Sequence, residues 1–282
     1  MPTTSKKKLN SKVSSQFDLE KWAKNYWTNM SKKIKPLSRN AWVFIWIILT
    51  VVGAQLALRL NSTVGVYLNA LSFALLAGLA LWQEKFRSLA ISAAIAPVIN
   101  MIALSLPQTT QFSQTMVYYD SLLVLALIYR FIFTLDHPIT YTKLTAKGYA
   151  TLMPLMLVMG QALGALGFVF LRHHYSYGHV SLPLVAASVV VFAIAEETFF
   201  RGLIQQRAAQ VMHPLTAAIL SMVIYTFFSV GHTTILAPVF ALISTIVLSL
   251  TYYKKQNLIL TISINAAMKL SYVGLVAGFI FR

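Results

Sequence analysis

Val191-Phe-Ala-Ile-Ala-Glu-Glu-Thr-Phe-Phe-Arg201 sets two adjacent glutamates, Glu196 and Glu197, into an apolar run that extends from residue 182 to residue 211. They are the only acidic residues after Asp136. A run of that length exceeds the ~20 residues a helix needs to cross a bilayer. An ionised side chain near the centre of a spanning helix costs roughly 2.5–3.5 kcal/mol on insertion scales, so such residues persist mainly where they work or are paired. Arg201 follows Glu197 by one helical turn on the same face and can pair with it. Glu196 has no basic residue at i±3 or i±4.

The rest of the chain repeats the apolar theme. Of 282 residues, 57% are hydrophobic and 11% charged, against about 25% charged in a soluble domain. Apolar segments fall at about 41–58, 64–82, 88–106, 116–134, 149–171, 182–211, 214–232, 235–253 and 257–281. This predicts an all-α fold, a polytopic transmembrane helical bundle of about eight or nine spans. The count depends on whether the break at Gly231–Pro238 is a full turn or a re-entrant one.

The net charge of +16 points away from nucleic acid once its placement is considered: ten of the 23 Lys and Arg residues precede the first span. That distribution sets topology and meets anionic lipid. Residues 1–40 read as a cytoplasmic basic tail, with Leu19, Trp22, Tyr26 and Met30 striping an amphipathic surface helix at 17–35. Residues 41–181 form N-terminal transmembrane helices, and 182–282 a core that carries the polar motifs. The charged loops Gln83–Arg87, Asp136–Lys147 and Tyr253–Asn257 share a side if the N-terminus is cytoplasmic. A bacterial cell membrane suits the Lys-rich N-terminus. About forty largely polar residues come before the first span, so a cleaved signal peptide is not expected. With no cysteine there is neither a disulfide framework nor a thiolate nucleophile or metal ligand.

Three polar positions recur in the last third: Glu196-Glu197-x-x-x-Arg201, Phe228-Ser-Val-Gly-His232, and Asn265 within Thr261-Ile-Ser-Ile-Asn265. The turn His213-Pro214 lies sixteen residues after Glu197 and eighteen before His232. At about 1.5 Å per residue both lie roughly 24–27 Å from that turn, at one depth. Two neighbouring carboxylates in low dielectric cannot both ionise cheaply. Arg201 favours ionisation of Glu197, which leaves Glu196 to take up a proton as general base. His232 can share that proton and pass it to a leaving amine.

Glu-Glu-x-x-x-Arg followed by Phe-x-x-x-His on consecutive membrane helices resembles the CAAX-protease and bacteriocin-processing (CPBP or Abi) family of intramembrane glutamic endopeptidases, over about residues 182–281. The resemblance implies that Glu196 and His232 activate water, that Glu197 and Arg201 complete the first motif, and that Asn265 stabilises the oxyanion. It implies a metal-independent hydrolysis of membrane-embedded or lipid-tethered peptides, with no cofactor. The family often has histidine four residues before the asparagine; here the position is Thr261, which can donate one hydrogen bond but cannot carry charge. Removing one oxyanion donor costs about 2.7–4 kcal/mol of transition-state stabilisation. Thr261 therefore also fits a non-proteolytic scaffold or a bacteriocin self-immunity protein of the same fold. Glu196 as the ion site of a transporter is a third reading.

Overall fold

The computed structural model describes residues 39–60, 62–105, 111–133, 144–171, 181–228 and 236–280. By its internal contacts the chain divides into Met1–Trp42 and Val43–Arg282; of the first unit only Arg39–Trp42 is described, and the second holds the bundle. The expected surface helix at 17–35 and the histidine at 232 lie outside the described residues.

Among the described residues there are nine helices and no strand. They are α1 (Arg39–Leu60), α2 (Ser62–Trp82), α3 (Arg87–Ser105), α4 (Gln111–Phe133), α5 (Ala146–Leu171), α6 (Leu182–Val211), α7 (Pro214–Phe228), α8 (Leu236–Lys255) and α9 (Leu258–Ile280). Six of them, α2, α3, α5, α6, α8 and α9, are long and apolar enough to cross a bilayer; α1, α4 and α7 carry shorter apolar stretches. The protein is a multi-pass membrane protein. Leu81, Trp82, Tyr67 and Val158 are among the large apolar side chains left on the outside of the bundle, where lipid rather than water covers them.

Local signals set the helix ends that matter for the site. Ser181 precedes α6 with an extended backbone, and Pro183 follows in the first turn, where its missing N–H costs nothing. Met212 turns extended at the end of α6, and the His213 ring nitrogen Nδ1 accepts the Leu215 N–H at 3.3 Å to start α7. At the end of α8, Gln256 takes a left-handed φ of 45°. Asn257 then caps α9, its Oδ1 accepting the Leu260 N–H at 3.2 Å.

Helix α9 packs on α5, α6 and α8, while α4 packs on α3 and α6. The α5–α9 contact is close because α5 presents Gly160 and Gly164 to it. A Cβ at Gly160 would run into the Ile264 carbonyl and the Ala267 methyl, and one at Gly164 into the Met268 carbonyl and Ser271. Small residues at four-residue spacing let membrane helices approach at backbone distance. That approach fixes α9 and with it the Asn265 and Lys269 side chains on another of its faces.

Candidate active site

Helix α6 changes its winding where the glutamates end. Thr198–Gln205 is π-helical, between α-helical turns on either side. Such widened turns are uncommon and gather at functional sites. Here the Phe200 carbonyl accepts the Ser221 hydroxyl of α7 at 2.9 Å. A π turn also holds more residues than an α turn, so straight α-helix arithmetic places Glu196 too far from the His213-Pro214 turn. Tyr225, only eleven residues past Pro214, meets it.

Glu196 is 4% exposed and takes donors from three other helices. Its Oε1 accepts the Tyr119 hydroxyl of α4 at 2.5 Å and the Lys269 ammonium of α9 at 3.0 Å. Its Oε2 accepts Asn265 Nδ2 at 2.9 Å and the Tyr225 hydroxyl at 3.2 Å. A carboxylate offers about four lone-pair directions, and four donors occupy them. The sequence reading left Glu196 without a cation and so made it the member that takes up a proton. The structure supplies that cation from α9, 73 residues away in the chain.

Glu197 is fully buried. Its Oε1 accepts Arg201 Nη1 at 3.1 Å and the second Asn265 Nδ2 hydrogen at 2.8 Å. The Arg201–Glu197 pair forms as the four-residue spacing requires. Arg201 also donates through Nη2 to the Thr245 hydroxyl of α8 at 2.7 Å, and its guanidinium lies 4.9 Å from the Tyr225 ring centroid. Among the described residues, Glu197 Oε2, Arg201 Nε and Asn265 Oδ1 have no hydrogen-bond partner. The Thr261 hydroxyl neighbours Glu197 but gives its hydrogen to the Leu258 carbonyl at 2.9 Å. Phe228 is a packing residue, its ring 5.4 Å from that of Phe200 and 6.4 Å from that of Tyr118.

The structure thus gathers Glu196, Glu197, Arg201, Thr261 and Asn265, with Phe228 on the border. Tyr119, Tyr225, Thr245 and Lys269 were not picked out by the sequence reading. Lys269 did carry a signal. Between Lys255 and Arg282 it is the sole charged residue, twelve positions into an apolar helix, and a cation within a membrane helix calls for an acid. The tyrosines carried none, since an aromatic in a membrane helix is ordinary. Chemically, the cluster presents a carboxyl group at a buried position, oriented by fixed donors, with a partly exposed lysine side chain beside it.

Residues 178–271 match the family model described as type II CAAX prenyl endopeptidase Rce1-like. No curated protein and no solved structure matches the chain. The matched stretch takes in α6, α7, α8 and the first half of α9, and so the Glu196–Glu197 pair, Arg201, Thr261, Asn265 and Lys269; Tyr119 lies outside it. Over residues 178–271, then, the chain is similar to the CAAX-protease family.

Proposed function

We propose that this protein is an intramembrane endopeptidase that cleaves lipid-tethered peptides by glutamate-activated water. Glu196 is the general base, His232 its partner in proton transfer, and Asn265 and Arg201 hold the two carboxylates in place. The observation that carries the reading is the buried Glu196–Glu197 pair, held by donors from separate helices within the stretch matching the endopeptidase family. Substrates reach such a site from the bilayer, so a peptide anchored by an isoprenoid or a spanning segment suits it better than a soluble one. The basic N-terminal tail meets anionic lipid on the cytoplasmic face, and the protein resides in a cell membrane.

The test uses purified protein in lipid vesicles and a fluorogenic peptide whose farnesylated cysteine lies four residues from its C-terminus. Release of the terminal tripeptide by wild type and not by Glu196→Gln is expected. Equal release by both proteins would remove Glu196 from the chemistry.

A second reading, a non-proteolytic scaffold or immunity protein, is favoured by one observation. Every lone pair of Glu196 is occupied, and Thr261 gives its hydrogen to the backbone. It predicts that Glu196→Gln preserves whatever phenotype the wild type confers.

A further inference from the structure

A peptide carbonyl attacked by water becomes an oxyanion, and a site that hydrolyses peptides needs a donor with a hydrogen to give it. The described donors of the cluster are mostly committed. Asn265 spends both Nδ2 hydrogens on Glu196 and Glu197. Thr261 gives its one hydrogen to the Leu258 carbonyl, and Tyr119 and Tyr225 direct theirs to Glu196. Arg201 is fully buried behind Glu197 and donates there and to Thr245.

Lys269 differs in two respects. Its ammonium has three hydrogens, of which, among the described residues, Glu196 engages one, and its side chain keeps 21% exposure where that of Glu196 keeps 5%. The Glu196 carboxylate, meanwhile, cannot accept a water until one of its donors withdraws. Lys269 is the one of those donors that carries a charge, and it sits at the end of a flexible side chain. Its ammonium also lies 5.6 Å from the centroid of the Tyr119 ring, which is stacked on Phe192 at 4.4 Å. That aromatic face gives the cation a resting place beside the carboxylate.

We propose that Lys269 is a catalytic residue: when substrate enters, its ammonium moves from Glu196 Oε1 to the scissile carbonyl oxygen. This rests on the endopeptidase reading above. The one movement clears a lone pair for water and supplies a charged oxyanion donor that Thr261 cannot provide. The water oxygen then bonds to the carbonyl carbon as its proton passes to Glu196, and the carbonyl π pair moves onto the oxygen held by Lys269. Collapse restores the C=O bond, breaks the C–N bond, and returns the proton from Glu196 to the leaving amine.

The absence of cysteine makes the test clean, because Lys269→Cys introduces the chain's single thiol. Alkylation with 2-bromoethylamine converts that thiol to a lysine-like aminoethyl side chain; iodoacetamide converts it to a neutral one. Membranes holding equal amounts of wild type, Glu196→Gln and Lys269→Cys are compared for the rate at which new peptide termini appear. Loss of about 10²–10³-fold in rate is expected for Lys269→Cys, restored to within about tenfold by aminoethylation and not by iodoacetamide. Lys269→Gln, which keeps a donor for Glu196 without the charge, covers the case in which the cysteine variant misfolds; its kcat is expected to fall with KM unchanged. Cleavage at the wild-type rate or faster in either folded variant overturns the proposal and leaves the endopeptidase reading standing. So does a loss that aminoethylation fails to restore in folded Lys269→Cys. No Glu196-dependent termini in wild-type membranes overturns both.

Discussion

The Lys269 ammonium lies 3.0 Å from Glu196 Oε1, closing the last helix of the bundle onto α6. A double-mutant cycle with Glu196→Gln and Lys269→Met, read by thermal unfolding, is expected to give a coupling energy of about 0.5–3 kcal/mol. Additive effects would show that the contact holds nothing together.

Asn265 answers both carboxylates with one amide group. Asn265→Asp removes those two donors and puts a third carboxyl between two others, where like charges cannot all ionise. Its stability is expected to drop by about 3–5 kcal/mol, the scale of an uncompensated buried charge. A loss below about 1 kcal/mol would contradict the bridging geometry.

Arg201 is as buried as Glu197. Arg201→Met leaves the Glu197 charge without its cation and is expected to destabilise by about 3–5 kcal/mol. Adding Glu197→Gln, which removes that charge, should recover a good part of the loss. Failure of the second change to help would mean that Arg201 acts through Thr245 or the Tyr225 ring instead.

Backbone-close packing of α5 on α9 makes Gly164 a remote determinant of the site. Gly164→Val forces the helices apart at Met268 and Ser271, which is expected to cost about 1–3 kcal/mol and to slow cleavage by moving Asn265 and Lys269. Gly78→Ala, where an added Cβ meets nothing within 4 Å, is the matching control and should be neutral. Equal activity in the two variants would separate the α5–α9 seam from the chemistry.

Much of this architecture is legible in the sequence, because lipid demands long apolar helices and the breaks between them are chemically marked. The segments expected at 182–211, 214–232 and 257–281 correspond to α6, α7 and α9, and the turn falls at His213-Pro214 as read. The Glu197–Arg201 pair follows from helical spacing alone. What spacing does not encode is which helices touch. The Glu196 contacts to Tyr119, Tyr225, Asn265 and Lys269 join α6 to α4, α7 and α9. The π-helical stretch Thr198–Gln205 was equally hidden, since its residues are ordinary helix formers apart from Gly202, and no periodicity in eight residues separates a π turn from an α turn.

The central claim is that Glu196 activates water to cut membrane-tethered peptides. It is tested most directly by a termini-resolved proteomic comparison of membranes from cells holding wild type or Glu196→Gln at equal level. The account predicts a set of peptide ends that appear with wild type and vanish with Glu196→Gln. Identical termini in the two membranes, with both proteins folded, would contradict it.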